Sequence, residues 1–266
     1  MHVHQIWWPF TANGSLTPPP ETDELRDSWK IFNPTYQYTM WDKAMCRSLI
    51  EKHYPWFLQT YDALPREIMR HDAVRPFILH HYGGIYADND MTCYRSFDSL
   101  LGMGKVILAR QNEDLRSPDS VCNAIMVATE QGHPFWLEYA KQIQSNMEQA
   151  AATKKDHDDD VILTTGPTAL TSTINGIPEY QQQQWGIMIL PVDVFYPIPY
   201  WRCNMATKTT CDKQLGLEFN PQAYSAHLWH GEWKNQKDSK KTWLVTAIVL
   251  VVVAAGVVWM CNRKKM

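Results

Sequence analysis

Two carboxylates stand two residues apart at Asp88 and Asp90, directly after the short apolar run Ile85-Tyr86-Ala87. Two acids in that position suit a hard divalent cation, because Mg²⁺ and Mn²⁺ take carboxylate oxygens together with phosphate oxygens of a substrate. An Asp-x-Asp pair alone is as readily a solvated acidic turn, so its surroundings decide. Upstream, Asp72 and Arg75 are three residues apart and share one face of any helix that carries them. Far down the chain comes Ala226-His227-Leu228-Trp229-His230. Imidazole serves Mn²⁺ as well as carboxylate does, so His227 is a candidate third ligand, with His230 as its local competitor and a structural histidine as the alternative.

These side chains need elements to hold them. Val74, Phe77, Ile78 and Tyr82 recur at helical spacing around Asp72 and Arg75 and predict a helix buried on that flank. Gly83-Gly84 breaks it, since glycine alone reaches positive φ without penalty. Residues 85–87 then read as a buried strand with the acid pair at its carboxyl end, where open α/β sheets bind ligands. Ahead of this unit the pattern predicts a strand over 3–8, a helix over 21–32 and a strand over 36–41. Asp42 is the expected N-cap of a following helix, and Pro65 fits the first turn of the helix bearing Asp72. Beyond the acid pair, strands are predicted over 105–109, 123–128, 187–190 and 192–196. His133-Pro134 is expected to open a helix. Thr164-Thr165-Gly166-Pro167 is read as a turn at a helix start, either ordinary or with its N–H groups offered to phosphate or acceptor hydroxyls. The alternation of strand and helix predicts an α/β fold. The acidic run Asp158-Asp159-Asp160 has no strand to hold it and reads as a solvated loop.

At 266 residues the chain holds one substantial domain, and a net charge of −3 gives no general attraction to nucleic acid. None of the six cysteines forms a Cys-x-x-Cys pair, which argues against a zinc site. Cys203 and Cys211 are equally readable as a small disulfide loop or as two thiols. The stretch 244–260 is apolar apart from Thr246, with Trp243 and Trp259 near its two ends as interfacial anchors. Counted from Trp243, it spans about 27 Å as a helix, close to one bilayer core, and is predicted to cross a membrane. Lysines before it and Arg263, Lys264 and Lys265 after it leave its orientation open. Asn13-Gly14-Ser15 is a glycosylation sequon, usable only if the preceding domain lies in a lumen.

The pattern Asp72-x-x-Arg75…Gly83-Gly84-Ile85-Tyr86-x-Asp88-x-Asp90 resembles the DXD sugar-binding region of the Och1-like glycosyltransferases, family 32, which include mannosyltransferases acting on inositol phosphorylceramide. His4-Gln5-Ile6-Trp7, Asn33-Pro34-x-Tyr36 with Trp41, Asn123, Gly132-His133-Pro134, Thr165-Gly166-Pro167, His227 and Trp233 fall in the family's order. Glu232 departs from the small hydroxyl residue usual there. The resemblance implies a GT-A-like nucleotide-sugar-binding fold over 1–233, followed here by a basic linker (234–242), the membrane helix (243–261) and a basic tail (262–266). It implies Mn²⁺ or Mg²⁺ on Asp88, Asp90 and His227. Asp72, Arg75, Gly84 and Tyr86 would hold the donor sugar, and His4, Gln5 and Trp7 the nucleotide. The implied reaction is retaining transfer of a hexose, with GDP-mannose favoured as donor and a UDP-sugar possible, to a lipid-linked or glycan acceptor on a Golgi- or ER-type membrane. A membrane-anchored binding protein that has lost catalysis is the alternative.

Overall fold

In a computed structural model, the described residues are 1–231 apart from 12, 115, 118, 119, 154–160, 204–210 and 212. Their contacts make Met1–His230 a compact unit. Its centre is a six-stranded mixed sheet in the order β2-β1-β3-β6-β5-β7, formed by β1 (His2–Ile6), β2 (Gln37–Trp41), β3 (Gly84–Ala87), β5 (Val106–Ala109), β6 (Ile125–Ala128) and β7 (Ile187–Leu190). Only β6 runs against its neighbours, so β1, β2, β3, β5 and β7 present their carboxyl ends at one edge. A second, two-stranded antiparallel ribbon joins β4 (Met91–Cys93) to β8 (Ser225–His227).

β3, β5 and β6 are buried at every position, which is why they read as continuous apolar runs rather than alternating ones. One sheet face, through Val3, Ile85, Ala87, Ile107, Ile125 and Val127, packs on Trp29, Phe97, Phe195 and Tyr196. Trp29 belongs to α1 (Asp23–Phe32), which follows a 3-10 turn at Pro20–Thr22. Asp42 caps α2 (Lys43–His53), its side chain accepting from the Met45 amide at 2.8 Å. After α3 (Pro55–Ala63) comes α4 (Glu67–Tyr82), which packs against β1, β3 and β6. α4 is buried all round from Ile68 to Leu79 apart from Arg70, not on one flank as its periodicity predicts, because α2, α5 (Phe135–Thr153) and α6 (Val161–Thr164) close over its outer side. Tyr82, by contrast, is left 40% exposed. α7 (Pro167–Gly176) and α8 (Glu179–Gln184) lead to β7.

The predicted strand over 192–196 is instead a short helix, α9 (Val192–Phe195). Pro191 starts it, and Phe195 and Tyr196 enter the core from its end. α10 (Leu215–Phe219) precedes β8. No helix among the described residues is long and apolar enough to cross a membrane. The predicted membrane segment 243–261, its flanks, the Asp158–160 run, Glu232 and Trp233 lie outside the described residues. Cys203 and Cys211 form a disulfide, while Cys46, Cys93 and Cys122 are buried thiols.

Gly84 opens β3 at φ +93°, where a Cβ would sit 2.3 Å from the His2 carbonyl oxygen of the neighbouring strand. Both the backbone sign and the strand approach demand glycine. Gly84→Ala is expected to cost about 2 kcal/mol or more through strain and displaced strand pairing. Gly176→Ala, with open space at its Cβ, should be near neutral. Denaturant unfolding of the two variants beside the parent checks this, and equal midpoints would refute it.

Candidate active site

The helix-glycine-strand unit delivers Asp72, Arg75 and Asp88 to one point. Arg75, on the buried face of α4, is 3% exposed. Its Nη2 lies 2.9 Å from Asp72 Oδ1 and 2.9 Å from Asp88 Oδ1. Nη1 donates to the Asn123 carbonyl at 2.9 Å. The guanidinium lies 4.6 Å over the Tyr86 ring, and the Tyr86 hydroxyl donates to Asp88 Oδ1 at 2.5 Å. A lysine has no planar fork to hold this geometry. The two acids hold the Arg75 charge firmly despite its burial, raising its pKa above the usual value.

Asp72 is held on both oxygens. Asn123 Nδ2 donates to Oδ1 at 3.2 Å and the Thr165 hydroxyl to Oδ2 at 3.0 Å, in addition to Arg75. Tyr139 in turn donates to the Thr165 carbonyl at 2.7 Å. Burial raises the Asp72 carboxyl, and these partners oppose the rise. With both oxygens accepting hydrogen bonds from the fold, Asp72 orients Arg75. The Thr165 and Gly166 amides are likewise spent on the Val161 carbonyl.

The second half of the site comes from the β4–β8 ribbon. Met91 pairs with His227, and the Leu228 amide donates to the Asp90 carbonyl at 2.9 Å. This puts His227 Nε2 3.1 Å from Asp90 Oδ2, which also accepts from the His230 amide at 3.0 Å. His230 therefore contributes its backbone, and His227 its ring. One face of that ring is covered by Trp229 at 3.9 Å between centroids. Trp229 holds φ 54°, the only positive φ among the described non-glycine residues. Such backbone strain collects where surrounding structure fixes a functional group.

The two acids of the pair have different environments. Burial pushes the Asp88 carboxyl up to about 6, with Arg75 pulling the other way and Asp90 adding to the rise. At Asp90 burial acts in the same sense, but His227 and the His230 amide outweigh it and hold the carboxyl down at about 2. Burial opposes a charge on His227, yet Asp90 holds its imidazolium, raised to about 10. One ligand atom from each of Asp88, Asp90 and His227 lies within 4.8 Å of the others. Two carboxylates and an imidazole at that separation fit a Mn²⁺- or Mg²⁺-sized cation.

The remaining expected residues fare unevenly. His4 is fully buried: its Nδ1 accepts from Trp41 at 3.1 Å and its Nε2 meets the Gly83 carbonyl at 3.0 Å. Burial drops its pKa to about 3. Both ring nitrogens are consumed by the fold, which leaves none for a nucleotide. Gln5 accepts from the Tyr38 hydroxyl at 2.6 Å and donates to the Asp88 carbonyl at 3.1 Å, so it braces the acid loop. Trp7, half-buried past the end of β1 with its indole N–H on the Ser15 carbonyl at 3.2 Å, is the one of the three with an open ring surface. Gly84 lies at the far end of β3, about 13 Å of strand from Asp88. Its glycine is explained by the His2 approach, and a donor-sugar contact does not fit there. Tyr86 orients Asp88 and Arg75 through its hydroxyl and its ring.

Sequence reasoning placed Asn123 only as a landmark, read Thr165 for its backbone and not its hydroxyl, and passed over Trp229. A single polar residue beside an apolar strand or at a turn gives no sign of which distant carboxylate it will meet.

Residues 19–107 match the family model described as glycosyltransferase sugar-binding region containing DXD motif, and residues 128–248 match the alpha 1,4-glycosyltransferase conserved region. The chain is therefore a relative of the DXD-containing glycosyltransferases, and the resemblance read in the sequence holds. It is 33% identical over 148 residues to inositol phosphoceramide mannosyltransferase 3 of Schizosaccharomyces pombe, covering 53% of this chain and 36% of that protein. Inositol phosphoceramide mannosyltransferase 2 of the same organism is 31% identical, covering 64% and 44%. Mannosyl phosphorylinositol ceramide synthase SUR1 of Saccharomyces cerevisiae is 34% identical, covering 47% and 32%. The chain thus spans between about a third and under a half of the length of these relatives. Among solved structures, PaToxG glycosyltransferase superposes with a TM-score of 0.48 at 18% identity, over 68% of this chain and 71% of that one.

Arg75→Met keeps the bulk of the side chain and leaves Asp72 and Asp88 facing each other without a counter-charge. Breaking a buried pair in this way costs about 3–5 kcal/mol. A urea-unfolding midpoint unchanged from the parent would show that Arg75 does not hold the site together.

Proposed function

We propose that the chain is a metal-dependent, retaining glycosyltransferase with a GT-A-like domain over 1–233, joined by the linker 234–242 to a membrane helix at 243–261 and a basic tail at 262–266. It transfers mannose from GDP-mannose to a lipid-linked acceptor of the inositol phosphorylceramide type. The observation that carries this reading is the continuous chain of contacts Asp72-Arg75-Asp88 beside Asp90-His227 at the carboxyl edge of the sheet. The inositol phosphoceramide mannosyltransferases among its relatives supply the sugar and the acceptor.

Breaking the bond between a sugar and a nucleoside diphosphate demands charge stabilisation at the leaving phosphates above all. Asp88, Asp90 and His227, the last after giving up its proton, would hold a divalent cation that would supply that charge as a Lewis acid. The protein's own part is positional. The His230 amide fixes one oxygen of Asp90, and Arg75 and Tyr86 fix one oxygen of Asp88. Each acid keeps its other oxygen for ligand duty. Trp7 offers an aromatic face for the nucleotide base at the mouth of β1. The disulfide between Cys203 and Cys211 and the exposed sequon residue Asn13 favour an oxidising endomembrane lumen for the domain.

The full chain in detergent or lipid nanodiscs, given Mn²⁺ and a panel of nucleotide sugars, should release nucleotide from GDP-mannose. Asp90→Ala should lower that release by two orders of magnitude or more, and chelation should abolish it. Tyr86→Phe, which frees Asp88 Oδ1 from its hydroxyl donor, should cost a smaller factor, about tenfold. A folded parent that binds the donors and releases nothing would turn the reading to a binding protein.

Expressed in a eukaryotic secretory system, the parent should show an endoglycosidase-sensitive mobility shift that Asn13→Gln removes. A membrane-inserted parent with no shift would argue for the cytosolic side.

A further inference from the structure

The segment between α9 and the disulfide forms a turn that is held by its feet and exposed at its tip. Ile198 and Cys203 are both buried and pack with Leu25, Ala226 and Leu228. The Cys203–Cys211 disulfide ties one foot, and the Trp229 indole N–H ties the other by donating to the Ile198 carbonyl at 2.8 Å. Between them the Arg202 amide donates to the Pro199 carbonyl at 2.9 Å, closing a four-residue turn with Tyr200 and Trp201 at its corners. Tyr200 is 60% exposed and Trp201 68%, and Arg202 is exposed beside them.

Two adjacent aromatic rings on a braced turn differ from the single apolar residues that every surface carries. A large ring left in water forgoes the burial that ordinarily decides its place. Tyr and Trp favour the boundary between water and lipid, because each joins an apolar body to a polar handle. Arg202 suits the same boundary, where a cation meets anionic headgroups.

The path of the chain out of the domain points to the surface the tip meets. The Tyr200 ring lies 6.1 Å from that of Trp229, which lies 3.9 Å from that of His227. The described chain ends two residues past Trp229, at Gly231. Eleven residues, 232–242, separate it from the apolar stretch 243–261. Even fully extended, such a tether reaches at most about 40 Å. It carries Lys234, Lys237, Lys240 and Lys241 against Glu232 and Asp238. So short a tether keeps the tip at high effective concentration beside a bilayer, where weak interfacial affinity suffices.

We propose that Tyr200, Trp201 and Arg202 form a docking tip that seats the domain on an anionic phospholipid surface and holds the His227 end of the site at the membrane interface. The proposal rests on the membrane reading of 243–261 for its tether, while the chemistry of the tip stands on the turn itself.

The test uses the full chain in nanodiscs of phosphatidylcholine and phosphatidylserine, with the photo-crosslinking residue benzoylphenylalanine placed singly at positions 201, 180 and 252. Tyr180 is the control for exposure: it is 71% exposed, on α8 at the amino end of β7. Position 252 lies in the middle of the apolar stretch and reports insertion. Phospholipid adducts at 201 should exceed those at 180 about tenfold. Tyr200→Ser should lower the yield at 201 about threefold, and Arg202→Glu about fivefold. Both changes are at exposed positions, and an unchanged urea midpoint confirms that the fold is kept. Equal yields at 201 and 180, a yield at 201 that neither variant lowers, or adducts at 201 to a second copy of the chain overturn the proposal. Lipid adducts at 252 without any at 201 remove the docking tip and leave the anchor. Adducts at 201 without any at 252 remove the anchor reading and leave the tip as a peripheral membrane contact. Adducts at neither position overturn both.

Discussion

Arg75 is the constraint on which the site depends. A guanidinium buried this deeply needs acceptors for its donors, and here Asp72, Asp88 and the Asn123 carbonyl meet its two Nη groups, while Nε has no partner among the described residues. Those three acceptors belong to α4, the end of β3 and the segment entering β6. One side chain therefore ties the central helix to the carboxyl edge of the sheet. Thr165 extends the tie to the turn before α7 by holding the far oxygen of Asp72. The cost of desolvating the charge is met by geometry, and that geometry aims Asp88.

The acid pair is split by its neighbours into two distinct carboxylates. Asp88 faces a guanidinium and a phenol, whereas Asp90 faces an imidazolium and a backbone amide. The β4–β8 ribbon makes the difference, because pairing Met91 with His227 brings the end of the domain back beside the acid loop. The strained backbone at Trp229 and the tilted contact of its ring with His227 fix that return. A site assembled from the middle and the end of a chain in this way stays intact only while the domain is folded.

Parallel strand direction gives the molecule a single working edge. Asp88, Arg110 and the start of α9 all follow strands that point the same way, and β6 enters from that edge through Asn123. Groups separated widely in sequence are thus spaced across the edge by multiples of the strand separation.

Much of this was legible without coordinates. Helical spacing placed Asp72 and Arg75 together, the double glycine ended α4, and the apolar run before Asp88 made a strand. Such features are local, set by φ preferences and periodicity over a few residues. The DXD-region family was legible too, since its motifs are short and keep their order. What the sequence left open is non-local. It gave no reason to see Asp72 as held by Asn123 and Thr165, His4 as consumed by Trp41 and Gly83, or Val192–Phe195 as a helix. Each of these turns on which groups become neighbours after the sheet forms. A polar side chain looks the same in sequence whether its hydrogen bonds go to a ligand or to the fold. The sequence by itself determined the residues able to do the chemistry and the elements that carry them. Only the tertiary structure decided which of those residues are already occupied, because hydrogen-bond satisfaction in a buried site depends on strand order and not on spacing along the chain.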